Sequence, residues 1–126
     1  MGIAPRWHRM DDERIWAFEQ SLWTGDAEDY RSKVSPDCVM ALPAPPYIFS
    51  GEEAIAAVID TPRWSSAQFS DGRISRPKHG LIVIGYSVEA TREGIEPYAA
   101  HCSSTYLLDE EADRWQHAQV LKPSPD

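Results

Sequence analysis

The sequence predicts an α+β fold, with three N-terminal helices packed against a curved antiparallel sheet, and three observations lead there. Capping signals and helical apolar spacing fill the first half of the chain and stop at Thr61-Pro62. From Ser65 onward the pattern changes to that of strands. Three strand-like stretches, Leu81–Thr91, Ile95–Leu108 and Arg114–Lys122, then follow one another across short polar turns. Strands joined by short turns pair antiparallel, and a bent sheet offers a concave face that can hold a small molecule.

Taken in order, Asp11 or Asp12 caps a first helix that runs to about Thr24 and stops at Gly25. On a helical wheel Ile15, Trp16, Phe18, Leu22 and Trp23 share one arc, and Glu19 lies within it. Glu19 either marks the rim where the helix meets water or turns a carboxylate into a cavity. The rim reading ranks first, because an unpaired buried Glu is costly. Asp26 opens a second short helix, with Tyr30 and Val34 as its apolar contacts and Ser35-Pro36-Asp37 as its end.

Cys38–Leu42 reads as a short strand, Pro43, Pro45 and Pro46 as a stiff loop, and Tyr47–Phe49 as a second short strand. Ser50 and Glu53 have the spacing of a capping box and open a third helix with Ile55, Val58 and Ile59 on one face. Trp64 follows, where an indole can cover the mouth of a pocket. Within Gln68–Arg76, Asp71-Gly72 is either a hairpin turn or a bulge in one long strand. Pro77–Gly80 is a turn.

At 126 residues the chain is expected to form one domain over 1–126, with 1–9 as a loosely ordered segment. Its net charge of −8, with basic residues scattered singly, argues against nucleic acid as a partner. No stretch approaches the ~20 apolar residues of a membrane span. Cys38 and Cys102 read as reduced, buried thiols, so the expected location is cytoplasmic.

Register assigns the faces of the sheet. A two-residue turn at Glu93-Gly94 sets His101 opposite Tyr86 and Ser103 opposite Ile84. A turn over Asp109–Asp113 sets Thr105 opposite His117 and Ser103 opposite Gln119. One face then carries Tyr86, His101, Ser103, Thr105, His117 and Gln119, and the other carries Val83, Ser87, Cys102, Ser104 and Tyr106. A one-residue bulge in either turn exchanges the two sets from that point on.

The order helix, helix, short hairpin, helix and bent sheet resembles the nuclear transport factor 2-like superfamily. The resemblance is strongest to its small bacterial SnoaL-like and domain-of-unknown-function branch. Leu22-Trp23-Thr24-Gly25-Asp26 with Tyr30, Asp37–Met40, Ser50–Ile55, Gly85-Tyr86, Arg92-Glu93-Gly94, Pro97-Tyr98, Cys102–Tyr106 and Arg114-Trp115 carry it. It implies a cone-shaped α+β barrel, usually dimeric, with a pocket between helices and sheet. Relatives in that superfamily include ketosteroid isomerase, scytalone dehydratase and polyketide cyclases, alongside proteins without known activity. The His-Gln-rich end of the last strand in that branch is replaced here by Val120-Leu121-Lys122.

Isomerase or cyclase chemistry on such a fold needs a base near neutral pKa and a donor to a developing oxyanion. His101 is the candidate general acid/base and Tyr86 the candidate donor, and the bland alternative is a core histidine bonded to a neighbouring hydroxyl. Glu19, Trp64, Ser103, Thr105, His117 and Gln119 are the candidate ligand-binding wall. No H-x-H, H-E-x-x-H, C-x-x-C, G-x-G-x-x-G or Walker A pattern is present, so neither metal nor cofactor is expected. Two readings follow. One is a homodimer, paired through the sheet, that binds a small apolar molecule and in its enzymatic version isomerises, dehydrates or cyclises it. The other is a non-catalytic dimerisation or ligand-sensing domain.

Overall fold

The computed structural model describes residues 11–42, 45–59, 61–109 and 114–121, with 109 and 114–121 described by their backbone. The expected segment 1–9 and most of the turn at 109–113 lie outside the described residues. Three helices, α1 (Asp12–Thr24), α2 (Ala27–Lys33) and α3 (Gly51–Ile59), precede or interrupt a six-stranded sheet. Its strands are β1 (Val34–Ala41), β2 (Ile48–Ser50), β3 (Ser66–Lys78), β4 (Leu81–Thr91), β5 (Tyr98–Asp109) and β6 (Arg114–Leu121). In space they run β2-β1-β6-β5-β4-β3.

Local chemistry explains the helix ends. The Asp11 carboxylate accepts from the Arg14 amide at 2.9 Å, and Asp12 and Glu13 add negative charge at the positive end of the α1 dipole. Asp26 caps α2 in the same way through the Asp29 amide at 2.8 Å. The capping box before α3 is complete, with the Glu53 amide donating to Ser50 Oγ at 3.1 Å and the Ser50 amide donating to the Glu53 carboxylate at 2.8 Å.

The sheet departs from expectation in three places. β1 starts at Val34, so the chain passes from α2 into the strand without a loop, and Val34, Cys38 and Met40 face the interior. β1 also pairs with β6 in parallel, which makes an otherwise antiparallel sheet mixed. Asp71-Gly72, by contrast, takes one of its two expected forms, a bulge within a single long β3: Asp71 has φ 55°, and pairing with β4 slips between Ser70 and Arg73. A Cβ on Gly72 would lie 2.7 Å from the Trp16 ring, so the bulge brings bare backbone against α1 where another residue would collide.

The third departure is register. Tyr86 pairs with Cys102, Ile84 with Ser104 and Ser87 with His101, one residue away from the sequence reading. The chain between β4 and β5 is a six-residue loop with Gly94 at φ 86°, not a two-residue turn. Pro97, which has no amide hydrogen for the ladder, stands just before β5 begins. Across the next turn Tyr106 pairs with His117, then a further slip sets Thr105 opposite Gln119 and Ser103 opposite Leu121. The interior face of β4 and β5 is therefore Ile82, Ile84, Tyr86, Val88, Ala90, Ala100, Cys102, Ser104 and Tyr106.

Two apolar clusters fill the space under the helices. Ile15 and Trp23 of α1 pack on that interior face, while Leu22, Tyr30, Val34, Met40, Ala54 and Ile55 join α1, α2, α3 and β1. Both clusters draw on α1, so this helix is the common wall of the interior.

Candidate functional site

Glu19 is the centre of the interior. It sits on the buried stripe of α1 at 1% exposure, and the side chains facing it come from β4 and β5. Ser104 Oγ donates to Glu19 Oε2 at 2.7 Å, the Tyr86 hydroxyl donates to the same oxygen, and the Tyr106 hydroxyl donates to Oε1. Trp23 Nε1 donates to the Tyr86 hydroxyl at 3.0 Å, which leaves that hydroxyl's own proton for Glu19. The rim reading of Glu19 is thus overturned. Three hydroxyl donors satisfy both oxygens and remove the objection to burial, which applied to an unpaired group.

The environment also fixes the phenols. Burial pushes the Tyr86 hydroxyl far above the usual tyrosine range, and the neighbouring Glu19 charge pushes it further. Tyr106 is raised for the same two reasons, burial first. Both stay neutral donors to Glu19 across ordinary pH. Phe18 meets Tyr106 edge-on at 5.1 Å, and Trp16 and Phe69 lie 5.8 and 4.4 Å from Tyr86, so aromatic rings pack around the cluster.

Other expected wall residues lie elsewhere. His101 is exposed on the outer face of the sheet, where its Nδ1 and Ser87 Oγ are 2.9 Å apart. His101 and Tyr86 therefore point to opposite sides, a consequence of the one-residue shift in register. Ser103 and Thr105 alternate with Ser104 and share the outer face with His101. His117 pairs with Tyr106, and Gln119 pairs with Thr105. Of the residues singled out from sequence, the structure brings Glu19 and Tyr86 together and separates them from His101, Ser103 and Thr105.

Trp64 lies at a second feature. A cleft of about 470 Å³ opens beside α1, α3 and the start of β5, and Trp23, Tyr30, Phe49, Trp64 and Tyr98 give it aromatic walls. Trp64 and Tyr98 stack at 5.7 Å, and Trp23 lies 6.3 to 6.4 Å from both. Arg63 lines the same cleft, with Nε donating to the Gly25 carbonyl at 2.7 Å and Nη2 donating to the Leu22 carbonyl. α1 has no basic residue in its last turn, and Arg63 supplies that charge from a distant part of the chain. Burial pushes the guanidinium below its usual range, while Tyr30 and Asp29 pull it back up.

Sequence reasoning missed Tyr106, Ser104, Arg63 and Tyr98. The first two follow from register: the length of the Arg92–Pro97 loop and Pro97 itself were the available signals. Arg63 carries no sequence signal, because its partners lie about forty residues upstream. Among the described residues no group of His, Cys, Asp and Glu is arranged to hold a metal ion. None of the helices described is long and apolar enough to cross a membrane.

This arrangement, three helices closing over a bent sheet, is the nuclear transport factor 2-like fold. Solved structures with the same fold include a Parabacteroides distasonis protein provisionally designated a ketosteroid isomerase, with a TM-score of 0.79 at 11% identity, over 97% of this chain and 93% of that one. An NTF2-like protein from Cytophaga hutchinsonii gives 0.72 at 17% identity, over 92% and 100%. The association domain of the C. elegans kinase CaMKII gives 0.71 at 13% identity, over 89% and 91%. No family model matches the sequence, and no curated protein matches it. At these identities the likeness establishes the fold, and function rests on the site.

Proposed function

We propose that this chain forms one domain, cytoplasmic and dimeric, that binds a small, mainly apolar molecule in the cleft walled by Trp23, Trp64 and Tyr98. The observation that carries the reading is the cleft itself: its volume of about 470 Å³ lies within the ~300–1,000 Å³ of small-molecule sites, and its walls are aromatic. Binding is favoured over acid–base catalysis. A general base must reach its proton directly or through one water, whereas Glu19 is enclosed by hydroxyls and His101 faces outward. The isomerase, dehydratase or cyclase version requires the Glu19 cluster to open toward the cleft, with Tyr86 as donor.

The test is a titration with the uncharged dye N-phenyl-1-naphthylamine. Saturable binding at one site per chain, abolished by Ala57→Trp on the cleft-facing side of α3, supports this reading. Absent binding, or binding indifferent to Ala57→Trp, rejects it.

Assembly through the outer face of the sheet is the second reading. That face carries Leu81, Val83, Ser103, Thr105 and the half-exposed Leu107, a small and mixed surface suited to sheet-on-sheet packing. One of the structural neighbours is itself an association domain, which supports the same reading.

A further inference from the structure

We propose that the cleft selects an aromatic or aliphatic carboxylate, with its apolar body against Trp23 and Trp64 and its anionic head on Arg63 and Tyr98. The inference deepens the reading of the cleft as a ligand site and rests on it.

Two polar side chains of the cleft, Arg63 and Tyr98, keep a donor without an acceptor among the described residues. Arg63 uses Nε and Nη2 on the Gly25 and Leu22 carbonyls, which hold the guanidinium plane in place. The guanidinium also stands 5.4 Å over the Tyr30 ring, but its Nη1 makes no hydrogen bond, and Arg63 makes no ion pair, among the described residues. The Tyr98 hydroxyl is buried and finds no hydrogen-bond partner among the described residues. Thr61 also lines the cleft, but its hydroxyl already donates to the Ala57 carbonyl at 2.8 Å. A buried donor left unsatisfied costs about 1–3 kcal/mol, so a ligand bringing acceptors gains more here than an apolar one.

Charge narrows the class. No carboxylate is among the described lining residues, and Asp29, whose charge acts on Arg63, is paired with Lys33 at 2.9 Å. On a chain of net charge −8 this is a local reversal of sign. A second guanidinium reinforces it: Arg92 stands 4.8 Å over the Trp64 ring, anchored on the Pro62 carbonyl at 2.6 Å. The acceptor that fits is anionic, and aromatic walls require an apolar body behind it. A carboxylate meets both demands and suits the planar guanidinium.

The experiment is a tryptophan-fluorescence titration of the full chain with 2-naphthylacetate, its neutral amide 2-naphthylacetamide, and inorganic phosphate. The acid is expected to bind at least about tenfold tighter than the amide, as a charge-assisted contact requires, with phosphate not binding. Arg63→Gln should weaken the acid at least about tenfold and the amide, whose carbonyl accepts only a neutral-type bond, by less, so that the acid's advantage is lost. Tyr98→Phe, which does not touch the α1 cap, should weaken the acid about fivefold and serves if Arg63→Gln fails to fold. Equal affinity for acid and amide overturns the carboxylate assignment and leaves the cleft reading standing, as does phosphate binding as tightly as the acid. An acid preference that survives both substitutions also overturns it. If neither naphthyl compound binds, both readings fall.

Discussion

Trp23 Nε1 lies 3.0 Å from the Tyr86 hydroxyl, and the ring that carries this nitrogen also lines the open cleft. One indole thus divides the interior into a sealed polar cluster around Glu19 and an accessible aromatic cleft. The sealed side is the anchor of the fold: a single carboxylate on α1 gathers hydroxyls from β4 and β5 and fixes the helix on the sheet. Glu19→Gln replaces an oxygen that accepts with an amide that donates toward hydroxyls. We expect a loss of about 1–3 kcal/mol, read as a melting temperature lower by several degrees with the fold retained. Glu19→Ala should cost more, because it strands three donors and leaves a void. A Glu19→Gln protein as stable as the parent would show that the cluster does not hold α1.

The tyrosines give the cluster an alkaline signature. Tyr86 and Tyr106 are raised above the usual tyrosine value by burial and then by Glu19, and Tyr30 is raised chiefly by burial. The unfolded chain releases these phenolic protons near pH 10, whereas the folded chain holds them. Above about pH 10 the folded state therefore binds more protons than the unfolded state, and stability falls as pH rises; below that it is unaffected by these groups. Absorbance near 295 nm should show these phenols ionising only together with unfolding, and Tyr86→Phe should shallow the fall. Tyrosinate absorbance that develops fully in the folded protein near pH 10 would contradict the enclosed geometry.

Much of this fold is legible in the sequence because it is written locally. Asp11, Asp26 and the Ser50–Glu53 box announce helix starts through contacts that span only three residues. β4 reads correctly from Leu81 to Thr91 because alternation and flanking turns bound it. The site was less legible because it depends on register, which a single residue inverts. Misplacing the loop before Tyr98 moved His101 inward and Ser104 and Tyr106 outward at one stroke. Glu19 was visible within the apolar arc of α1, yet its burial depended on donors from strands more than sixty residues away.

The outward placement of His101 makes its own prediction. Its side chain meets Ser87 on the outer face, so His101→Ala should change monomer stability by less than about 0.5 kcal/mol and leave dye binding in the cleft unchanged. If that face joins two copies, Val83→Arg or Thr105→Arg should convert dimers to monomers in light-scattering measurements, because a charge would be buried without a partner. Loss of cleft binding in His101→Ala would place the histidine back at the site. Unchanged mass in both arginine variants would remove the outer face from consideration as the interface.

The bulge in β3 is the remaining test, and it isolates a steric cause. Gly72 is not among the glycines with positive φ, so replacing it by alanine raises no backbone objection. The new Cβ would instead stand 2.7 and 2.9 Å from two carbons of Trp16, closer than real contacts allow. Trp16 is tilted against Phe69 at 5.9 Å and edge-on to Tyr86 at 5.8 Å, so moving off the methyl breaks ring contacts even though one side of the indole is open. We therefore expect Gly72→Ala to cost about 1–3 kcal/mol through overpacking, with a change in near-ultraviolet circular dichroism from the displaced indole. The double variant Gly72→Ala/Trp16→Leu should recover part of that loss relative to Trp16→Leu alone, since the smaller side chain vacates the space the methyl needs. Additive losses would mean that the methyl disturbs the bulge itself and that Trp16 is not the obstacle.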